Sequence, residues 1–325
     1  MAFERGHHVS YSACGIPYLV AGDVDTADAL IARSTGEHRA NGIDLRLRIE
    51  VTEIDLSART VTAAPLDGGA SYQLGFDELV LATGAAPVRP ELPGVNAPGV
   101  FGVQTLDDGT AVLAALSRLP RRAVVGGGYI GIEMAEAMVR RGLAVTMVDR
   151  AVEPMATLDP DMGALVREAM EGLGITVLTG SPVTGFETGP GGGVSAVITE
   201  KGTLPADLVV LGLGVRPATD LALAAGLPLG EHGGALTDRR MRVPGRDGLW
   251  AGGDCAPGGL GKAGRRVRRG AVERDDRRGD DRPGPRLRAT VLSGVGSSAD
   301  GCPQGGSGSL TPLPQTSTCG ATDRP

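Results

Sequence analysis

Three glycines, Gly126, Gly128 and Gly131, stand in G-x-G-x-x-G spacing near the middle of this 325-residue sequence. They follow the apolar run Ala123-Val124-Val125, which suits a buried parallel strand. Ile130 to Arg141 carries a helical pattern, with apolar residues at Ile130, Met134, Ala137 and Met138, and Gly142 stands where a helix stops. Leu143 to Val148 is a second apolar strand, and Asp149 sits at its end. Each part has a physical reason. Gly126 permits a tight turn, Gly128 lets a pyrophosphate approach the backbone, and Gly131 lets the helix pack closely on the strand. N–H groups at the helix start hold phosphates, and a carboxylate about twenty residues on accepts bonds from an adenosine ribose. A lone glycine motif is weak, and the plain alternative is a glycine-rich turn in an ordinary β-α-β unit. Framed by strand, helix, strand and acid, it reads as a nicotinamide dinucleotide site. Asp149 repels a 2′-phosphate and so favours NAD over NADP; the neighbouring Arg150 weakens that preference.

Other residues could do redox or ligand chemistry. In Ser10-Tyr11-Ser12-Ala13-Cys14-Gly15-Ile16-Pro17-Tyr18, a cysteine precedes glycine, proline and a short apolar segment, Tyr18 to Ala21. A thiol at a helix start is acidified by the positive end of the dipole. By residue type alone, a buried small hydrophobe is the commoner role. Leu249 to Cys255 (LWAGGDC) offers a strand end, two glycines and Asp254, either a ligand-facing carboxylate or a simple turn. Glu4 stands where a strand would end, as Asp149 does, yet no glycine-rich loop precedes it, so a first β-α unit is missing from that reading. An incidental Glu in a disordered N-terminus is the plainer account. Gly212 to Pro217, with Gly214 inside it, is a loop that brings backbone close to something.

The elements that must position these residues alternate between strand and helix, the pattern of an α/β protein. Ala27 to Ala40 reads as a partly exposed helix. Ile43, Leu45, Leu47, Ile49 and Val51 alternate with charged residues, as in a half-buried strand. Ala58 to Thr62 returns as a hairpin, and Gly75 to Thr83 is a further strand, closed by Gly84. Prolines 87, 90, 93 and 98 mark an ordered connection. Thr105 to Leu119 and Asp159 to Leu173 read as helices, the first with Asp107 and Asp108 suited to its dipole. Ile175 to Leu178 and Asp207 to Leu211 read as strands, Val183 to Glu187 with Val194 to Thr199 as a hairpin, and Leu221 to Gly226 as a short helix.

Composition narrows the field. The net charge of −6 and the lack of a basic stripe with interleaved aromatics argue against nucleic acid. No apolar run reaches membrane-spanning length and no signal peptide opens the sequence, so a cytoplasmic location is expected. Cys14, Cys255, Cys302 and Cys319 show no metal-ligand spacing, and His7, His8, His38 and His232 form no metal motif. From Pro257 the character changes. Residues 257–325 carry twelve basic and seven acidic side chains, against twenty and thirty-one before them, with no aromatic, isoleucine or methionine. Such a segment cannot offset an ordering cost of roughly 1–2 kcal/mol per residue, and disorder is expected throughout it. Its interleaved acids argue against a nucleic-acid tail.

Taken together, FER, SYSACGIPY, LATGAAP, VVGGGYIGIEMAE, GVRP and AGGDCA resemble, in order, the motifs of the pyridine nucleotide-disulfide oxidoreductase family. The nearest branch has a single redox cysteine: coenzyme A disulfide reductase and related NADH oxidases. The resemblance covers about residues 3–256. It implies two nested Rossmann-like nucleotide-binding domains, one for FAD (1–104 and 218–256) and one for NAD(P) (105–217), with 257–325 as a disordered tail. It implies that Glu4 holds the adenosine ribose of FAD, that Thr83 and Gly84 close over it, and that Asp254 bonds its ribityl or pyrophosphate region. Gly126, Gly128, Gly131, Asp149 and Gly214 would serve the nucleotides, Tyr129 would gate the nicotinamide, and Glu133 would lie close to that contact. Cys14 would form a mixed disulfide with coenzyme A or be oxidised to a sulfenic acid, with Ser10 and Tyr18 near the thiol substrate. Hydride would pass from NAD(P)H to FAD and electrons on to Cys14 and a disulfide, most simply coenzyme A disulfide. The sequence departs from the family pattern before Glu4, at Ala13, and after Cys255, where the dimerisation domain is expected. A frame shift near residue 257 would account for the tail and would remove the family's homodimer. Two rival expectations are an inactive remnant that only binds NAD(H), and a cysteine-independent flavin reductase of ferredoxin-reductase type.

Overall fold

The structure is a computed structural model that describes residues 1–118 and 120–256, together with the backbone of 288–292. The outer sheet is built from β1 (Ala2–Glu4), β2 (Leu45–Leu47), β6 (Glu78–Ala82), β17 (Leu249–Ala251) and β18 (Arg288–Leu292). All are parallel, in the order β17-β6-β18-β1-β2. The buried side chains of this sheet include Phe3 and Leu79, both 0% exposed, and Leu81, 1% exposed; along β6 burial alternates, with Leu79 and Leu81 buried between half-buried neighbours. An antiparallel sheet of β3 (Ile49–Asp55), β4 (Thr60–Pro65) and β5 (Tyr72–Gly75) contributes Val51, Ile54, Val61 and Ala63 to the same core.

The inner sheet repeats this plan. It comprises β8 (Val100–Phe101), β9 (Arg122–Gly126), β10 (Ala144–Val148), β11 (Thr176–Leu178) and β15 (Leu208–Val210), parallel in the order β11-β10-β9-β15-β8. Its satellite is the antiparallel set β12 (Val183–Thr188), β13 (Val194–Thr199) and β14 (Gly202–Pro205). A short antiparallel pair, β7 (Ala85–Pro87) with β16 (Val215–Pro217), ties the chain where it enters the inner unit to where it leaves.

Six α-helices complete the described residues: α1 (Ile16–Ala21), α2 (Thr35–Ala40), α3 (Leu106–Leu116), α4 (Tyr129–Arg140), α5 (Pro160–Gly172) and α6 (Asp220–Ala224). Among these residues no helix is long and apolar enough to cross a membrane. Helix α1 packs on α3 and α4 in one core that includes Ile16, Leu19, Val20, Val112, Met134 and Met138.

Three expectations are corrected. The helix expected over 27–40 is broken: a 3₁₀ turn at Ala27–Leu30 ends, and α2 starts afresh behind Ser34, whose side chain caps Glu37 N–H while Glu37 caps Ser34 in return. The strand expected over 43–51 is cut at Arg48, which has φ 57°, so that β2 joins the outer sheet and β3 the antiparallel one. Disorder was expected throughout 257–325, yet Arg288–Leu292 is a strand in the middle of the outer sheet. The remainder of that stretch, with its expected dimer-domain and frame departures, lies outside the described residues.

Candidate functional site

The glycine turn is built on contact. A Cβ on Gly126 would lie 2.1 Å from the Leu211 carbonyl oxygen, one on Gly128 2.4 Å from that of Gly212, and one on Gly131 1.8 Å from that of Gly126. The last value is why α4 can sit so close on β9. Gly128 N–H donates to Gly212 C=O at 3.1 Å, which answers what the Gly212–Pro217 loop approaches: the glycine turn itself. Gly214 of that loop, at φ 84°, accepts from the N–H of Val88, just past β7. No side chain caps α4 at Gly128, so its first N–H groups and dipole face an incoming anion.

Two glycines beyond the motif matter as well. A Cβ on Gly127 would lie 2.2 Å from Asp149 Oδ2, and one on Gly212, at φ 46°, would lie 2.8 Å from Gly131 Cα. The signal was the uninterrupted Gly126-Gly127-Gly128 run and the Gly-Leu-Gly of the loop. Asp149 follows β10, half-buried, and accepts from Ala151 N–H at 2.8 Å, leaving its carboxylate beside the turn. These spaces, which any side chain would fill, fit a dinucleotide diphosphate and its ribose.

Tyr129 opens α4, 55% exposed, with its hydroxyl 2.7 Å from Thr157 Oγ1. Glu133 lies one turn further along and is exposed; partial desolvation of its carboxyl raises its pKa, and the Glu136 charge adds to the rise.

The outer sheet gathers its own set at one edge. Because its strands are parallel, Glu4 at the end of β1, Thr83 and Gly84 just after β6, and Asp254 just after β17 all stand at their C-terminal ends, where ligands of open α/β sheets bind. Glu4 is 4% exposed and accepts from Gly6 N–H at 2.6 Å, the hydrogen-bond pattern of a held carboxylate. Thr83 Oγ1 donates to Ala218 C=O at 2.5 Å, and Gly84 C=O accepts from Ala218 N–H, pinning the crossing to the second segment. Asp254 lies in a 3₁₀ turn, half-buried, and burial raises its pKa. A cleft of about 420 Å³ opens here, lined by Arg5, Glu50, Thr83, Ala218 and Asp220 among others. A buried acid, a small-residue crossing and a half-buried carboxylate around one edge fit an adenine dinucleotide such as FAD.

The cysteine segment joins the two. Cys14 is exposed in a 3₁₀ turn, Ala13–Gly15, immediately before α1. Ser12, 6% exposed, places Oγ 3.2 Å from Cys14 Sγ. A Cβ on Gly15 would lie 2.3 Å from Leu30 Cδ2, so the turn is pressed onto the core. Arg141, just past α4, donates to Val20 C=O at 2.6 Å, and Arg140 pairs with Asp23 at 2.5 Å, so the C-terminal ends of α1 and α4 are fastened together. Ser10 Oγ lies 2.8 Å from His38 Nε2; burial and then the Arg33 charge lower the pKa of that imidazole. Tyr18 projects from α1, 57% exposed. Buried Tyr11, its phenol pushed up to about 12 by burial, is a neutral core residue. Buried Cys255, with Sγ against Gly252 C=O at 3.2 Å, is structural.

A family model described as pyridine nucleotide-disulphide oxidoreductase matches residues 1–273. An NADH oxidase of Methanocaldococcus jannaschii is 33% identical over 263 residues, 78% of this chain and 57% of that protein. An NAD(P)H coenzyme A polysulfide/persulfide reductase of Pyrococcus horikoshii is 34% identical over 272 residues, 82% of this chain and 58% of that protein. Among solved structures, an NAD-dependent persulfide reductase from A. fulgidus aligns with a TM-score of 0.74 at 32% identity, over 78% of this chain and 47% of that one. This chain therefore spans little more than half the length of these curated relatives. FAD and NAD(P)H are the cofactors of such enzymes. By the extent of the family match and by these identities, the chain belongs to the pyridine nucleotide-disulphide oxidoreductase family.

Proposed function

We propose that the chain is an NAD(P)H-driven flavin oxidoreductase with Cys14 as its redox thiol and coenzyme A disulfide as the acceptor. The observation that carries this reading is the exposed Cys14 thiol, 3.2 Å from a buried serine hydroxyl, on a segment whose helix is fastened to the dinucleotide helix α4. The sulfur chemistry in the names of relatives such as the coenzyme A polysulfide/persulfide reductase supports the same class of acceptor.

The chain's own residues have distinct parts. The Gly126–Gly131 turn and the α4 N-terminus hold the nicotinamide dinucleotide's diphosphate, and Asp149 takes its ribose, with NADH preferred. Tyr129, anchored by Thr157, covers the nicotinamide. Glu4, Thr83, Gly84 and Asp254 hold FAD, which when bound supplies a carrier of two electrons between a nicotinamide and a sulfur. Ser12 holds the Cys14 sulfur in place. Cys14, as thiolate, attacks one sulfur of the acceptor, breaks the S–S bond and releases one coenzyme A thiol, leaving a mixed disulfide. Two electrons and a proton then free the second thiol and restore Cys14. Overall, one NADH and one proton convert one disulfide into two thiols. Ser10 and Tyr18 border the thiol substrate.

Purified full chain with visible flavin absorbance and NADH-dependent reduction of coenzyme A disulfide is the expected outcome. Cys14→Ser should abolish that reduction while NADH still bleaches the flavin. Undiminished disulfide reduction by Cys14→Ser would refute the thiol assignment. A colourless chain that binds NADH and cannot be loaded with FAD would identify a remnant instead.

A further inference from the structure

Residues 150–158 leave the end of β10, cross to the glycine turn and come back to the start of α5. The footing of this strap is fixed. Ala151 C=O accepts from Gly180 N–H at 2.7 Å, Pro154 is buried, and Glu153 pairs with Arg167 of α5 at 2.9 Å. Helix α5 lies close against it, since a Cβ on Gly163 would come 2.7 Å from Glu153 Cβ. The tip of the strap reaches the glycine turn twice. Met155 N–H donates to Gly127 C=O at 3.0 Å. Met155 does so at φ 53°, a left-handed backbone that a residue with a side chain keeps only where its surroundings impose it. Leu158 N–H then closes a turn onto Met155 C=O at 2.8 Å, with Ala156 and Thr157 at its corners. From that corner Thr157 Oγ1 meets the Tyr129 hydroxyl at 2.7 Å. The two ties therefore fall on the two neighbours of Gly128, the glycine whose bare backbone admits the diphosphate.

The ties differ in kind. The first joins backbone to backbone. The second joins two exposed side chains, and among the described residues Thr157 is the one hydrogen-bond partner of the Tyr129 hydroxyl. Water replaces either hydroxyl at small cost, so this bond shifts an equilibrium by roughly threefold to tenfold. The strap stays in place while the ring is free to leave it.

We propose that Thr157 is the positioning residue of a gate: it latches Tyr129 across the mouth of the inner dinucleotide site, and the ring swings off it to let a nicotinamide dinucleotide pass and then returns. The inference rests on the dinucleotide reading of the glycine turn and on Tyr129 as its cover. It adds the element that sets how quickly the nucleotide comes and goes. Both partners of the latch belong to the protein, so the bond is made alike over an empty and a filled site. It slows entry and exit by the same factor and leaves affinity as it was.

Stopped-flow fluorescence on the full chain decides it, with etheno-NAD⁺ as the probe, a fluorescent nucleotide that has no hydride to give. Thr157→Val and Tyr129→Phe should each raise both the association and the dissociation rate roughly threefold to tenfold, with the dissociation constant changing less than either rate. The double variant should match the single ones, because one bond is lost in all three. Thr157→Ser, which keeps the hydroxyl, should restore both rates. Unaltered rates in the single variants overturn the latch. A faster dissociation alone, with affinity lost in proportion, also overturns it, since the pair would then act as a contact to the nucleotide and not as a gate. A parent chain that does not bind the probe overturns the dinucleotide reading of the turn, and the latch with it.

Discussion

Asp254 carries a desolvation cost in its ionised form. Its carboxyl is half-buried, burial alone raises its pKa, and it lies in a 3₁₀ turn at the ligand edge. The folded chain therefore holds the proton more tightly than the unfolded one. As pH rises through the unfolded value, stability falls, and the loss is complete once pH passes the folded value. Asp254→Asn should accordingly raise the melting temperature of the flavin-free chain at neutral pH. The gain should vanish well below pH ~4, where the unfolded carboxyl is protonated as well. The same variant should weaken FAD binding if the carboxylate bonds the flavin's chain. Thermal melts at the two pH values check the sign, and a gain of equal size at both would remove burial as the cause. Glu133 has the same sign for the same reason, with Glu136 adding to it. Of the site residues, those inside a spaced motif were legible in the sequence, because spacing reports the turn that uses it. Gly127 and Gly212 were not, since each is glycine for the sake of a partner far along the chain, Asp149 and Gly131 respectively.

At the scale of elements, the close seat of α4 on β9 makes the sharpest test. Gly131→Ala places a methyl 1.8 Å from the Gly126 carbonyl oxygen, which is backbone and cannot swing aside. Helix α4 must then move off the sheet and take its N-terminal N–H groups with it. A stability loss of about 1–3 kcal/mol and a clear drop in NADH affinity are expected. Gly142→Ala is the control. Gly142 sits at φ 82° past the end of α4 with nothing within 4 Å of a Cβ, so it should cost about 1–2 kcal/mol in backbone strain and leave NADH affinity intact. Denaturant melts and NADH fluorescence titrations separate the two, and equal NADH losses would dissolve the distinction. The β9-turn-α4-β10 unit was readable to within a residue at each end because apolar period, glycine spacing and stop signal agree. The breaks at Ser34 and Arg48 were not. In one a capping box restarts a helix inside a run of good helix formers, and in the other alternation continues while the chain changes sheets. Strand β18 was hidden for a third reason: five residues in a long glycine- and arginine-rich stretch leave no trace in composition, and their pairing partners lie more than two hundred residues away.

For the whole molecule, the two nested units are joined by a core rather than by a linker. Tyr11, Ile16, Leu19, Val20 and Leu30 from the first segment share one buried cluster with Val112, Met134, Met138, Val145 and Leu208 of the inner unit. Neither half can keep that surface dry alone, so the described residues should unfold as one cooperative body. The protein supplies its own reporter, since the single tryptophan, Trp250, lies in β17 at the far side of the outer sheet. Met134, 0% exposed in α4, is the lever on the other side. Met134→Ala should cost about 2–5 kcal/mol, the usual range for a large core residue cut to alanine. If the core binds the units together, Trp250 fluorescence and far-UV ellipticity should shift to lower denaturant by the same amount and remain superimposed. A Trp250 transition that stays where it was while ellipticity moves would mean that the outer sheet melts independently. NADH bound at the inner turn could then lend no stability to the edge that holds Glu4 and Asp254. Superimposed curves carry the opposite consequence: a ligand that stabilises either unit also stabilises the other, through the core that α1 and α4 share.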